Sequence, residues 1–330
     1  SWYAVSADRG KHAETRASMR LRHAITDIRG IEVGHAQDDE ALTGCTVILC
    51  RKGSVAGVDV RGGAPGTRET DLLNPVNLVE KVHAVVLAGG SAFGLDAASG
   101  VMQYLREKKI GFPVGSVKVP IVPAAILYDL GLGRADVWPD AAMGYRAAVS
   151  ASAVPPAEGN AGAGTGASVG KIRGNKYAMK AGLGTWCIEI NGVLIGALVA
   201  VNAIGDVVDP KTGQKVAGLR SGTTLEWMEK NKPRRAVRSN TVIGVIATNA
   251  ILTKAQATKV AQMAQDGLAR AIRPAHTPFD GDTIFALATG QAEADVSTVG
   301  AFSAEVMSEA ILRAVRMAGP AGGLAGLSRG

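Results

Sequence analysis

A layered fold of mixed strands and helices, α/β or α+β in class, is what this 330-residue sequence predicts. Three observations carry the expectation. Runs of β-branched residues with strand composition alternate with apolar stretches at helical spacing. Several strand pairs stand at hairpin distance, which a purely parallel doubly wound sheet does not use. Gly, at 42 of 330 residues, has about twice the usual share of roughly 7%, which points to tight turns and close backbone approaches.

The elements follow in order. Residues 25–28 and 31–33 read as short strands around Arg29-Gly30. Residues 46–49 and 55–60 are β-branched runs at hairpin spacing around Arg51-Lys52-Gly53, followed by the Gly-rich polar loop 61–70. A buried strand at 83–88 enters Gly89-Gly90-Ser91-Ala92-Phe93-Gly94, and a helix runs from there to about Lys108, with Leu95, Ala98, Val101, Met102 and Leu105 on one face. A small-residue helix is expected at 141–153, then a low-complexity loop to Gly166. Strands 185–190 and 193–203 flank Asn191-Gly192, the strongest short-range hairpin signal. Residues 204–240 read as an exposed, irregular, basic connection. The remainder alternates: strand 241–248, an amphipathic helix 253–272 with Thr253 as N-cap, strand 283–288, and a helix at 303–318 closed by Gly319-Pro320.

Composition narrows function. Hydrophobic residues at 47% and charged residues at 20% describe a globular chain, and aromatics at 4% argue against stacking platforms for nucleic acid. The net charge of +7 is concentrated near the N-terminus and in residues 230–238, read as solvated loops. Cys45, Cys50 and Cys187 lack metal or redox spacing and fit free thiols of a cytoplasmic protein. No stretch predicts a signal peptide or membrane span. Residues 1–22 are expected to be a disordered N-terminal extension, with Met19 a candidate natural start, ahead of a single domain over 23–330.

Familiar motifs fail one check each. Gly162-Ala163-Gly164-Thr165-Gly166-Ala167 matches a dinucleotide fingerprint but follows no strand. Gly170-Lys171 resembles the end of a phosphate-binding loop, yet Ile172 stands where a hydroxyl must meet magnesium. Gly89-Gly90-Ser91-Ala92-Phe93 resembles a nucleophile elbow with Phe93 in place of the second Gly. It leaves as alternatives a serine hydrolase using Ser91, with His276 downstream, and a non-enzymatic anion- or nucleotide-binding protein. Asp280 and Asp282 are too few for a metal site, and the five histidines show no ligand spacing. Two carboxylates at i and i+2 of an extended segment do point the same way, however, and can meet one partner. At Asn240-Thr241 a charged segment gives way to a β-branched run, placing a hydroxyl at the mouth of a strand.

Together, Val58 to Thr67, Leu87 to Leu95, Gly162 to Lys171, Asn240 to Ala250 and His276 to Thr283 resemble, in the same order, the self-cleaving peptidase family of L-aminopeptidase/D-amidases, β-aminopeptidases and nylon-oligomer hydrolases. The resemblance covers about residues 25–318. It implies a four-layer αββα sandwich and a precursor that cuts itself before Thr241 into fragments 1–240 and 241–330. Both fragments would build the one domain, and processed protomers would assemble as a homo-oligomer, a tetramer by expectation. It implies the acidic pair Asp280 and Asp282, and Tyr128, Lys171 and Asn202 as oxyanion and positioning residues. The β-aminopeptidases carry Ser as nucleophile and Ser-x-Glu in place of Asp280-x-Asp282, so the chain is more similar to the Thr branch.

The chemistry fits the residue types. A threonine hydroxyl is a weak nucleophile without a base. The α-amino group freed by cleavage has an ordinary pKa of about 7.7 to 8.0, suited to that task. The expectation is an aminopeptidase or amidase acting on small peptides or amino-acid amides, with no metal, organic cofactor, nucleic acid or membrane as partner.

Overall fold

A computed structural model of the chain describes residues 19–231 and 240–329. Ten strands form its main sheet: β1 (Met19–Arg22), β2 (Glu32–Asp38), β3 (Thr43–Val60), β4 (Thr67–Arg68), β5 (Lys81–Ala88), β6 (Ala124–Ile126), β7 (Leu183–Ile190), β8 (Val193–Asn202), β9 (Thr241–Ala250) and β10 (Thr283–Ala292). Their order is β1-β7-β8-β9-β10-β3-β5-β6-β4, with β2 also paired to β3. Pairs β9–β10 and β5–β6 are parallel and the others antiparallel.

Strand β3 makes two sheets out of one. Its first half pairs with β2 and β5 and its second half with β10, β5 keeping only Ser54 and Val55 beyond a register break between Leu49 and Ser54. The sequence predicts a hairpin around residues 51–53. Gly53 does take a left-handed conformation, φ 77°, but the chain bends there instead of reversing. The two halves of the sheet therefore lie face to face.

Three apolar layers result. On one outer face, α4 (Lys254–Ala271) and α5 (Val296–Arg316) pack Val260, Leu268, Met307 and Ile311 onto Ile195, Val199, Val242 and Ile246. Between the sheets lie Ile243, Val245, Ala247 and Phe285 against Ile48, Val85 and Leu87. On the other outer face, α1 (Ala97–Glu107) and α2 (Ala141–Ser150) cover Val47, Leu49 and Val86 with Val101, Leu105 and Met143. The fold is the expected four-layer αββα sandwich. Strand β9 shows the period of two: Val242 and Ile246 face the helices while Ile243, Val245 and Ala247 face the other sheet. All ten of its residues are buried, so segments from both sides of residue 240 complete one core.

Close backbone contact accounts for part of the glycine excess. A Cβ on Gly100 of α1 would lie 1.7 Å from the Ala141 carbonyl, and one on Gly144 of α2 would lie 1.9 Å from the Ala97 carbonyl. Only glycine permits that helix crossing.

Other expectations shift. Residues 25–28 form a 3₁₀ turn, Ile25–Asp27, because the Asp27 carboxylate accepts the N–H groups of His23 and Ala24. Met19–Arg22 pair with Cys187–Ile190 as edge strand β1, within the stretch read as a disordered extension; residues 1–18 of that stretch lie outside the described residues. The last helix begins seven residues earlier than expected, where Asp295 caps it by accepting from Thr298 N–H. Part of the expected exposed connection is structured: Asp206–Val208 is a buried strand, and Thr224–Lys230 forms the short helix α3. Residues 232–239 lie outside the described residues. Among the described residues, no helix is long and apolar enough to cross a membrane.

Candidate active site

The strand order fixes where the polar residues meet. Asn202 ends β8 and Thr241 begins β9, and the two are paired directly across the antiparallel ladder. Parallel pairing of β9 with β10 sets Ile243 beside Thr283, which brings Asp280 and Asp282, just ahead of β10, alongside residues 240–242. All four residues, with Asn240, are buried.

Thr241 Oγ1 donates a hydrogen bond to the carbonyl oxygen of Asn240, the carbonyl of its own preceding peptide bond. The same oxygen accepts the backbone N–H of Gly281 at 3.1 Å. A Cβ on Gly281 would stand 2.8 Å from Thr241 Oγ1 and 2.8 Å from the Ala64 carbonyl, so this approach requires glycine. The loop after β3 packs behind it: Arg61 N–H donates to the Asp282 carbonyl at 2.9 Å and Ala64 N–H to the Asp280 carbonyl at 2.8 Å. That is the place of the Gly-rich loop singled out in the sequence.

Each carboxylate is held by its own residues. Asp282 accepts Val242 N–H on Oδ1 at 2.9 Å, and His276 N–H and Nδ1–H on Oδ2, both at 2.9 Å. Asp280 Oδ2 accepts Thr277 N–H at 2.8 Å and the Thr277 hydroxyl at 2.5 Å. Burial, and secondarily the charge of Asp282, pushes the Asp280 carboxyl up to about 6.

Lys171 reaches the same corner from a different element. Gly170 takes a left-handed conformation, φ 72°, which turns Gly170 N–H and Lys171 N–H onto the carbonyls of Gly205 and Ile204. The Lys171 ammonium donates to Asn202 Oδ1 at 2.7 Å and to the Asn202 carbonyl at 3.2 Å. Burial pulls its pKa down to about 7, against the opposing charges of Asp280 and Asp129. Such an amine sits near the balance point between base and acid at neutral pH. The motif that resembled a phosphate loop thus delivers a buried lysine to Asn202, within electrostatic reach of Asp280 and Asp129.

Asn202 is committed at both ends of its amide. Oδ1 accepts from Lys171 and, at 3.1 Å, from Ser168 N–H; Nδ2 donates to the Tyr128 carbonyl at 2.9 Å. Tyr128 therefore joins the cluster through its backbone, and its side chain is exposed. A small cleft lined by Tyr128, Asp129, Leu132, Ser168, Lys171 and Asn175 opens at this point. A larger groove of about 950 Å³, between α5 and β7 around Trp186 and Phe302, contains none of these residues.

Asp129 had no signal of its own in the sequence. Buried behind Tyr128, it accepts Gly90 N–H at 2.8 Å and the Thr43 hydroxyl at 2.7 Å, and burial pushes its carboxyl up to about 6. Gly281, His276 and Thr277 were likewise not assigned these contacts, although Gly281 stands between the two aspartates. Ser91 does occupy a left-handed turn, φ 54°, but the sheet around it is largely antiparallel, and Nε2 of His276, its candidate base, is buried with no hydrogen-bond partner among the described residues and so does not meet the Ser91 hydroxyl. The serine-hydrolase alternative is not assembled. Among the described residues, no group of three or more His, Cys, Asp or Glu side chains is arranged to hold a metal ion.

A hydroxyl on a peptide carbonyl, with acids and an amine of shifted pKa around it, belongs to the chemistry of acyl transfer. The class is that of enzymes hydrolysing peptide or other amide bonds. Residues 23–329 match peptidase family S58, and the chain belongs to that family. An uncharacterized aminopeptidase of Mycobacterium tuberculosis (strain ATCC 25618 / H37Rv) is 43% identical over 338 residues, covering 92% of this chain and 96% of the relative. The 6-aminohexanoate-oligomer endohydrolase of Kocuria sp. (strain KY2) is 31% identical over 312 residues, covering 88% and 85%. In fold, the L-aminopeptidase D-Ala-esterase/amidase of Ochrobactrum anthropi, a variant among the Ntn-hydrolase folds, superposes with a TM-score of 0.70 at 21% identity, covering 90% of this chain and 86% of that one. A non-enzymatic binding role, the other alternative, is set aside by this membership.

Proposed function

We propose that the chain is a precursor that cleaves its own Asn240–Thr241 bond and then uses Thr241 as an N-terminal nucleophile to hydrolyse small peptides or amino-acid amides. The observation that carries this reading is the Thr241 hydroxyl on the Asn240 carbonyl, with the Gly281 N–H on the same oxygen. The hydroxyl adds to the carbonyl carbon, the C–N bond to Thr241 breaks, and an ester on Oγ1 forms as the α-amine takes a proton. Water hydrolyses the ester, releasing the Asn240 carboxylate. Gly281 N–H faces the oxygen on which negative charge develops; one such donor is worth roughly 3 to 4 kcal/mol of barrier. Asn240 is buried with both side-chain amide atoms lacking a hydrogen-bond partner among the described residues, a ground-state cost of about 1 to 3 kcal/mol that release of the bond can relieve.

In the processed enzyme the Thr241 amine serves as base for its own hydroxyl, and a substrate amide passes through an acyl-enzyme on Oγ1. Asp280 and Asp282 orient the new ammonium. Lys171, balanced near neutrality, holds or releases a proton beside them. Asn202 anchors Lys171, and the second N–H of its amide is a further donor for the substrate oxyanion. Strand β9 is buried between β8 and β10, so the fragments stay associated after the cut. A cytoplasmic homo-oligomer of processed protomers, a tetramer by expectation, completes the reading. A panel of aminoacyl nitroanilides and N-blocked amides tests it: hydrolysis by wild type and none by Thr241→Ala is the expected outcome, and equal hydrolysis by both contradicts it.

A further inference from the structure

We infer that His276 and Thr277 are positioning residues for the Asp280–Asp282 pair, with the His276 ring fixing Asp282 and, through it, the strand end that carries Thr241. The inference rests on the reading of Thr241 as nucleophile. Two consecutive residues here treat two carboxylates alike. His276 gives its backbone N–H and its Nδ1–H to Asp282 Oδ2, and Thr277 gives its backbone N–H and its hydroxyl to Asp280 Oδ2. Aiming neighbouring N–H groups at side chains two residues apart takes an unusual turn. His276 provides it with φ 56°, a left-handed conformation that is unfavourable for a non-glycine residue and is retained where the surroundings hold it.

The far side of Asp282 is also occupied. Its Oδ1 accepts the Val242 N–H at 2.9 Å, so the order of contact is His276, Asp282, Val242, with Thr241 one residue away. A carboxylate gripped on both oxygens does not rotate, and the first peptide of β9 is pinned to it. Because a carboxylate oxygen accepts, Nδ1 carries the ring proton; this tautomer is assigned from the partner. The backbone N–H alone satisfies Oδ2 once. What the ring adds is a second donor on that oxygen, closing the angle through which Asp282 could swing.

Three substitutions in the full chain separate the ring from the turn. His276→Gly keeps the left-handed turn and the backbone donor but removes the ring. His276→Asn also accepts that conformation and restores an N–H near the position of Nδ1. Thr277→Val removes only the hydroxyl on Asp280. The readouts are the rate of cleavage at 240/241, and kcat and KM on the aminoacyl nitroanilide that wild type hydrolyses fastest. The expected result is a loss of about 10- to 100-fold in kcat for His276→Gly with KM within about 3-fold, recovery by His276→Asn to within about 5-fold of wild type, and a loss of about 10-fold for Thr277→Val. His276→Gly at the wild-type kcat, or His276→Asn no faster than His276→Gly, overturns the role of the ring. If His276→Gly does not fold, Thr277→Val decides for the pair: a wild-type rate overturns the inference. Failure of the underlying reading looks different, as an uncleaved wild type whose activity survives Thr241→Ala. A cleaved wild type, an inactive Thr241→Ala and unaffected His276 and Thr277 variants would sink this inference alone.

Discussion

The backbone N–H of Gly281 donates to the carbonyl oxygen of Asn240 at 3.1 Å, from a residue set between the two aspartates of the acidic pair. An amide donor, a hydroxyl and a carbonyl thus meet at one peptide bond, and the glycine is sterically required. Gly281→Ala would put a methyl 2.8 Å from both Thr241 Oγ1 and the Ala64 carbonyl, forcing the attacker or the loop to move. The expected outcome is self-cleavage slowed by about 100-fold, followed as the decay of full-length chain on a denaturing gel. Wild-type cleavage would show that this carbonyl contact is not used.

Asn202 ties three segments together, accepting from Lys171 and Ser168 and donating to Tyr128. Asn202→Ala leaves the Lys171 ammonium without its 2.7 Å partner and removes the candidate oxyanion donor. Both processing and turnover should fall by about 100-fold or more, measured as rates of cleavage and of nitroanilide release. Unchanged rates would remove Asn202 from the site.

A third prediction concerns stability. Lys180 is fully buried, donates to the carbonyls of Gly164 and Ala181, and is pulled down by burial to about 7, as Lys171 is. With the folded value depressed below the ordinary 10.5, the unfolded chain binds more protons above pH 7. These lysines therefore make stability rise with pH from 7 toward 10.5, and that contribution is lost as pH falls to 7. Each contributes at most about 1.4 kcal/mol per pH unit. Lys180→Met should flatten the rise in Tm between pH 7 and 9, whatever it does to Tm itself. A slope equal to wild type would mean Lys180 is not charged differently in the two states.

The architecture was legible where local pattern and tertiary role agree. Strand β9, α4 with Thr253 as its cap, and the Asn191-Gly192 hairpin stand where the sequence put them, because each carries its own periodicity or turn chemistry. The bent strand β3 was not legible: Arg51-Lys52-Gly53 looks like a turn, and only pairing with β5 on one side and β10 on the other keeps the chain extended through it. The junction at Thr241 and the acidic pair showed in the residues and took their roles from motif resemblance, the roles of Lys171 and Asn202 came from the resemblance alone, and the structure brings them to one corner. Tyr128 meets them through its carbonyl, which side-chain identity cannot reveal. The backbone N–H groups of Gly281, His276 and Thr277 are aimed by a left-handed turn and a parallel strand pair, which residue type does not report, although the glycine that the approach at 281 requires is itself visible in the sequence.

The central claim is that Thr241 attacks the peptide bond preceding it. Intact-mass measurement of purified wild type and Thr241→Ala, taken through a long incubation, tests it most directly. The account predicts two chains from wild type, residues 1–240 and a fragment beginning at Thr241, and a single uncut, inactive chain from Thr241→Ala. A wild type that stays full-length, and is no more active than Thr241→Ala, would contradict it.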